Sequence, residues 1–302
     1  MTDADDKSRR IVFTGASGGI GTMTRPLLAK LYPGLVLSDR VKPKDLQPGE
    51  TFVAADLTRP EEVASAVKGA HSIIHLGGHS VEGTWDQILQ ANIIGCYNVF
   101  EAAREAGVKR VIFASSNHAI GFYPRKKRIG TDVTVRPDSR YGVSKVFGEA
   151  LGALYSDKHG IAVTCLRIGN VGPVPLDVRR LSIWISPRDL VQLFQIGLAH
   201  PDLRYEIFYG ASDNAAGWWD NSRAYRLGYR PQDKSEDHRA HAEAEQARLR
   251  PGRPLAVVVM SDHLSAPPRP PAAGGEATAR WSRRHHRRRG SRGLRRHATV
   301  CR

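Results

Sequence analysis

Tyr141 and Lys145 stand one helical turn apart in the run YGVSK, and Ser116 lies upstream of them at the end of an apolar stretch. A free tyrosine loses its proton only near pH ~10, so a phenol serves as a base at neutral pH only with help. A lysine four residues on lies on the same helical face and supplies a cation that favours the phenolate. A nearby serine can hold the oxygen being deprotonated. The chemistry on offer is removal of a proton from a sugar hydroxyl, and its value depends on a dinucleotide site elsewhere in the chain. Each residue also has a plainer reading. Tyrosine and lysine at this spacing are often an amphipathic surface, and Ser115 and Ser116 are also suited to capping a loop.

A dinucleotide site is legible near the N-terminus. Ile11, Val12 and Phe13 read as a short buried strand that runs into TGASGGIG and then a helical segment. That is the context a phosphate-binding turn requires. Gly15 suits the sharp turn, Gly18 or Gly19 a close approach of backbone to a pyrophosphate, and Gly21 close packing of helix on strand. Ser17 and Ile20 lie within the same turn and join it as candidate contacts. Asp39 ends the next strand, where a carboxylate can accept hydrogen bonds from the adenosine ribose hydroxyls and repels a 2′-phosphate. NAD is therefore expected over NADP, although Arg40 beside it is the kind of group a 2′-phosphate would favour. Asp56 and Leu57, after the third strand, are candidates to border the adenine. Leu76, Gly77 and Gly78 end the fourth strand, small enough for backbone to lie against a cofactor, or no more than a turn. His75 reads as a core histidine rather than a ligand, and the pattern calls for no metal.

The elements that must position these groups follow from periodicity. Strands are expected at 35–38, 51–54, 72–76, 110–114 and 161–168, after the first at 11–13. Helices are expected at 22–31, 60–68, 86–106 and 138–158, the last two stopped by Gly107 and Gly160. Strands alternating with helices imply a Rossmann-like, doubly wound parallel sheet of the α/β class. Beyond it the pattern loosens into a small lobe over about 170–250, with Ser186 capping a helix that has Pro187 in its first turn and one more strand at 205–209. The catalytic domain is expected over 8–250 and a separate tail over 251–302.

Charge divides along the same boundary. The chain of 302 residues carries a net charge of +15, yet residues 251–302 hold twelve Arg against only Asp262 and Glu276. The remainder has 33 basic and 28 acidic side chains, so its charge says little about a partner. The tail, rich in Arg, Pro, Ala and Gly, is expected to be disordered. Nucleic-acid binding through it, driven by counterion release, is one alternative function. Arg125, Lys126, Lys127 and Arg128 read as a solvated loop. Cys96, Cys165 and Cys301 are few and far apart, and neither a cleavable leader nor a membrane span is suggested. A reducing cytoplasm is the expected compartment.

The glycine turn with YGVSK and Ser116 is the signature of the short-chain dehydrogenase/reductase superfamily. The blocks HLGGHSVEG, QILQANIIGCYNVFEAA, FASSNHAIGFYP, RPDSRYGVSKVFGE and YGASDNAAGWWDN, within about 11–230, resemble its uronate dehydrogenase branch. The resemblance implies NAD-dependent oxidation of a hexuronate at C1 to the aldarolactone. It implies Tyr141 as general base, Lys145 on the nicotinamide ribose, Val171 beside the cofactor and Asn92 as the structural asparagine that orders a relay water. It implies Ser80, Ser116, Asn117 and His118 on the sugar and Arg179 on its carboxylate, for which a guanidinium fork is well suited; Arg180 is an alternative. Asn170 stands where the family has a substrate-contacting serine. The end of the chain also departs, since family members close with a short segment that brings an aromatic side chain near the active site. The Arg/Pro composition there is what a reading-frame change in a GC-rich gene would yield. The nearest rival is a nucleotide-sugar epimerase or dehydratase, which shares the trio. Homo-oligomers are expected by analogy with the superfamily.

Overall fold

The structure is a computed structural model and describes residues 9–249. Four short strands come first: β1 (Ile11–Thr14), β2 (Val36–Asp39), β3 (Thr51–Ala54) and β4 (Ser72–His75). Helices α1 (Gly19–Ala29) and α2 (Pro60–Val67) lie among them. The chain then passes through α3 (Trp85–Ile88), a π-helical turn (Leu89–Ile94) and α4 (Gly95–Glu105). Next come β5 (Arg110–Ser116), a 3-10 turn (Asn117–Ile120), α5 (Arg140–His159) and β6 (Ala162–Ile168). After these lie β7 (Asn170–Val171), β8 (Trp184–Ile185), α6 (Pro187–Ala199), β9 (Tyr205–Gly210), α7 (Ser222–Arg226) and α8 (Arg239–Leu249).

Seven strands form one parallel sheet in the order β3-β2-β1-β4-β5-β6-β9. Side chains alternate across it. Ile11 and Phe13 of β1, Ile112 and Ala114 of β5, and Leu166 and Ile168 of β6 pack with Leu28 of α1 and Leu190 and Phe194 of α6. Their neighbours Val12, Val111, Phe113, Val163 and Cys165 turn to the other face, against Val63 of α2, Val99 and Phe100 of α4 and Leu151 of α5. Because both faces are covered, the strands read as unbroken apolar runs rather than as alternating ones.

α5 carries the tyrosine and lysine, and two glycines let it lie close to the sheet. A Cβ on Gly148 would collide with the Phe113 ring, and one on Gly152 would come within 2.9 Å of Val163. Ser139 caps the helix by accepting from the Gly142 N–H, and Gly160 ends it at φ 70°, in the left-handed region. On the far side of the sheet Ser186 caps α6 as the sequence suggests, accepting from the Asp189 N–H ahead of Pro187.

The structure departs from the sequence reading in four places. α1 begins at Gly19 rather than Thr22, because the glycine turn itself opens the helix. The helix expected over 86–106 is interrupted by the π-helical turn. β5 continues to Ser116, which puts both Ser115 and Ser116 on the sheet. The late strand, β9, joins the main sheet beside β6, and α6 covers the sheet against α1, so the C-terminal lobe is interleaved with the main layers. What stands apart from them is the two-stranded β7–β8 sheet and the loops around it. Among the described residues no helix is long and apolar enough to cross a membrane. The expectations for the basic tail and for Cys301 lie outside the described residues.

Candidate active site

Strand order reverses between β1 and β4, and the loops leaving their carboxyl ends flank the crevice where open α/β sheets place ligands. Gly15, at φ 72°, packs so tightly on the segment after β4 that a Cβ there would sit 2.7 Å from the Gly77 nitrogen. At Gly21 a Cβ would lie 2.6 Å from the carbonyl oxygens of Gly15 and Ala16. Gly18 faces the Gly15 oxygen at 3.3 Å, whereas a Cβ on Gly19 would meet nothing within 4 Å. Of the two candidates for backbone approach, Gly19 has the bare surface. No side chain caps α1, so its first-turn N–H groups remain donors for an anion.

Asp39 closes this cradle. One of its carboxylate oxygens accepts from the Ser17 N–H at 3.0 Å, and the other from the Arg40 N–H at 2.7 Å. A fixed negative charge at the mouth of the turn suits a ribose diol and opposes a phosphate, so the residues present fit NAD. Ile20 and Leu76 turn partly into the core beside the turn. Leu57 lies on Gly77, within 2.7 Å of where a Cβ would stand. Asp56 is engaged by the N–H and hydroxyl of Thr58, hydrogen bonds that hold its carboxyl below the usual carboxylate range. His75 is a core histidine: its Nδ1 meets the Thr14 hydroxyl at 2.8 Å, and burial pulls it down to about 3, hence neutral.

The candidate chemical groups converge where β4, β5 and α5 meet. Lys145 is buried, and its ammonium stands 5.3 Å from the centre of the Tyr141 ring and 5.1 Å from that of Phe113. Among the described residues no carboxylate forms an ion pair with it. Ser116 is buried at the end of β5, where its hydroxyl accepts from the His118 N–H and donates to Asn117. It therefore caps the 3-10 turn, as the plainer reading of it expects. Ser115 points away, donating to buried Glu149, which Arg167 grips with two hydrogen bonds.

The His118 ring meets the Tyr141 ring edge to face, with centroids 5.6 Å apart. Its Nδ1 pairs with Asp138 at 2.8 Å. Asp138 escaped the sequence reading, although its place before the capping Ser139 was a signal. Gly121 makes room for it, since a Cβ there would collide with the carboxylate. Glu82 was also missed; it accepts from the Tyr141 N–H at 3.0 Å and so draws the loop bearing exposed Ser80 to the start of α5.

Asn92 occupies the π-helical turn and braces the site. Its oxygen accepts from the His79 N–H at 2.6 Å, and its nitrogen donates to the His79 carbonyl and the Ser144 hydroxyl, each at 3.0 Å. Gly78, at φ 135°, makes room for that amide. Asn170 begins β7 with its side-chain oxygen buried and unpartnered, and Val171 pairs with Ile185. Arg179 opens the 3-10 turn of Arg180–Ser182. Arg180 is held by Asp177 at 2.5 Å.

Comparison with known proteins accords with this geometry. The NAD dependent epimerase/dehydratase family matches residues 11–186. A uronate dehydrogenase of Pseudomonas putida is 46% identical over 240 residues, covering 79% of this chain and 89% of that protein. The crystal structure of glucuronic acid dehydrogenase from Chromohalobacter salexigens aligns with a TM-score of 0.76 at 45% identity, over 82% of this chain and 91% of that one. That of Agrobacterium tumefaciens uronate dehydrogenase, a tyrosine-to-alanine variant complexed with NAD, aligns with a TM-score of 0.75 at 45% identity, over 78% and 89%. With a glycine cradle that fits NAD and a tyrosine–lysine pair beside it, the chain belongs to the NAD dependent epimerase/dehydratase family and, within it, to the uronate dehydrogenases.

Proposed function

We propose that the protein oxidises a cyclic hexuronate, galacturonate or glucuronate, at C1 to the aldarolactone, using NAD. The observation that carries this reading is Lys145, a buried ammonium set against the Tyr141 ring with no carboxylate pairing with it among the described residues. A cation so placed stabilises the phenolate that a base at Tyr141 requires. Bound NAD supplies the hydride acceptor. Tyr141 takes the proton from the C1 hydroxyl as the C1–H bond breaks and the C1–O bond gains double-bond character. Ser116, Asn117, His118 and Ser80 hold the ring hydroxyls, Asn170 assists them, and Arg179 binds the carboxylate. Asn92 keeps the loop after β4 against α5 so that the two halves of the site stay in register.

The identity to the Pseudomonas putida enzyme supports the substrate class. A nucleotide sugar would need a larger lobe than β7–β8 and its loops provide. Buried Cys96 and Cys165, both free, suit a reducing cytoplasm. A homo-oligomer is proposed through α4 and α5, neighbouring helices that expose Tyr97 and Leu154 respectively; light scattering on purified protein tests it. The decisive assay is formation of reduced cofactor, followed by absorbance, with both uronates and with NAD and NADP. Turnover of either uronate with NAD is the expected result. A folded protein that binds NAD and oxidises neither would overturn the reading.

A further inference from the structure

Arg125 belongs to a run that the sequence presents as solvated surface, yet two of its guanidinium nitrogens are shielded from solvent. Nε and Nη2 are buried and meet no acceptor among the described residues. The guanidinium lies over the Trp218 ring, 5.3 Å from its centre. An unmet donor of this kind costs more when it belongs to a charged group, so some acceptor is called for. Arg25 makes a useful contrast. It too has an unpartnered Nε, but its other nitrogens hold Asp45 and Glu50, and its charge is neutralised.

Among the described residues no carboxylate forms an ion pair with Arg125. The charges that act on it are Arg179, which works against its own charge, and Asp177, which favours it. Asp177 is already in an ion pair with Arg180.

The neighbourhood is that of the sugar site. Trp218 packs in one cluster with Ile120 and Ile183. Ile120 closes the turn that carries Asn117 and His118, and the carbonyl of Ile183 receives the Asn170 N–H. Gly217, just before Trp218, lies against the Ser182 carbonyl, at the end of the turn that Arg179 opens. The unpartnered oxygen of Asn170 adds a second unmet polar group in the same quarter.

We propose that Arg125 is a second carboxylate-binding residue of the sugar site, which acts with Arg179 so that the acid group of the substrate is read by two guanidinium groups. The proposal rests on the reading of the protein as a uronate dehydrogenase. It assigns a binding role to a residue outside the proton-transfer group. The guanidinium lies over the Trp218 ring, and Nε and Nη2 are the two donors left for a carboxylate.

The test compares galacturonate with its methyl ester, which has the same ring and no charge, on wild type, Arg125→Gln and Arg125→Lys. NAD affinity, measured by titration, monitors the fold of each variant. For Arg125→Gln the KM for galacturonate should rise roughly ten- to hundredfold, the range for losing a charge-assisted hydrogen bond, with kcat much less affected. Arg125→Lys should recover part of the loss, and the ester should bind variant and wild type alike. An unchanged KM for galacturonate in Arg125→Gln overturns the proposal, as does an equal loss on the ester. If Arg125→Gln fails to bind NAD, Arg125→Lys decides, a raised KM for galacturonate alone being the supporting outcome. If the wild type oxidises neither uronate, the functional reading falls separately. Calorimetric titration with galacturonate then decides for Arg125: binding weakened in the variants supports it, and no binding to wild type overturns it.

Discussion

At Lys145 the ammonium meets two aromatic faces, so its charge acts on Tyr141 instead of being neutralised. Replacing Tyr141 by Phe keeps the ring that the ammonium faces and removes only the acid–base oxygen. The kcat is expected to fall by about 10²- to 10⁴-fold, the range for loss of a general base, with the Kd for NAD unchanged in a fluorescence titration. His75 gives a prediction of another kind. Burial holds it at about 3 in the folded protein, against an ordinary 6.5. Below the ordinary value the unfolded chain takes up a proton that the folded one refuses until about pH 3. Stability contributed by the neutral ring is thus complete above that window and is lost as pH falls through it, at roughly 1.4 kcal/mol per unit. Urea unfolding at pH 7 and pH 5 should show wild type losing about 2 kcal/mol more than His75→Gln. Equal losses would mean that His75 titrates normally. Spacing singled out Tyr141, Lys145 and Ser116 as a candidate trio, but it did not show that no carboxylate among the described residues pairs with Lys145. Asp138 stayed unseen because a carboxylate before a capping serine looks like any turn residue until the His118 ring is found beside it.

Elements bring these residues to one place. α5 lies on the sheet only because Gly148 and Gly152 present no side chains to Phe113 and Val163. In Gly148→Ala the new methyl would enter the Phe113 ring, whose face also holds the Lys145 ammonium. Overpacking of this kind costs about 1–3 kcal/mol, so a lower urea midpoint is expected together with a reduced kcat. Retention of both would show that Phe113 yields without cost. The extent of the helix over 86–106 could be read from periodicity, yet its π-helical turn could not. That turn carries Asn92, whose amide bridges the His79 backbone and Ser144 of α5, partners that are remote in sequence. A similar blindness affected the late strand: an apolar run at 205–209 says strand, and only its pairing with β6 says which sheet.

For the molecule as a whole, the alternation of strands and helices was sufficient to imply a parallel sheet covered on both faces, and the order found places the reversal point beside the glycine turn. We propose that residues 8–250 are sufficient as the folding and cofactor-binding unit. A chain ending at Arg250 should keep the Tm and the Kd for NAD of the full chain, by calorimetric scanning and titration. A fall in both would show that residues 251–302 contribute to the fold. Catalysis by the truncated chain then reports separately on whether the atypical C-terminal region matters for turnover.

The sequence alone determined the local features of this protein. A glycine at positive φ, a capping serine, a buried apolar run and a lysine one turn from a tyrosine each depend on residues a few positions apart, so the order of side chains specifies them. The tertiary structure decided which charges are answered and which are left over. Arg167 finds Glu149 and Arg25 finds Glu50, while Lys145 and Arg125 find aromatic faces. Spacing along the chain cannot distinguish these cases. An ion pair is a matter of a few ångströms in space, and only packing the helices on the sheet sets which distant residues come within that range.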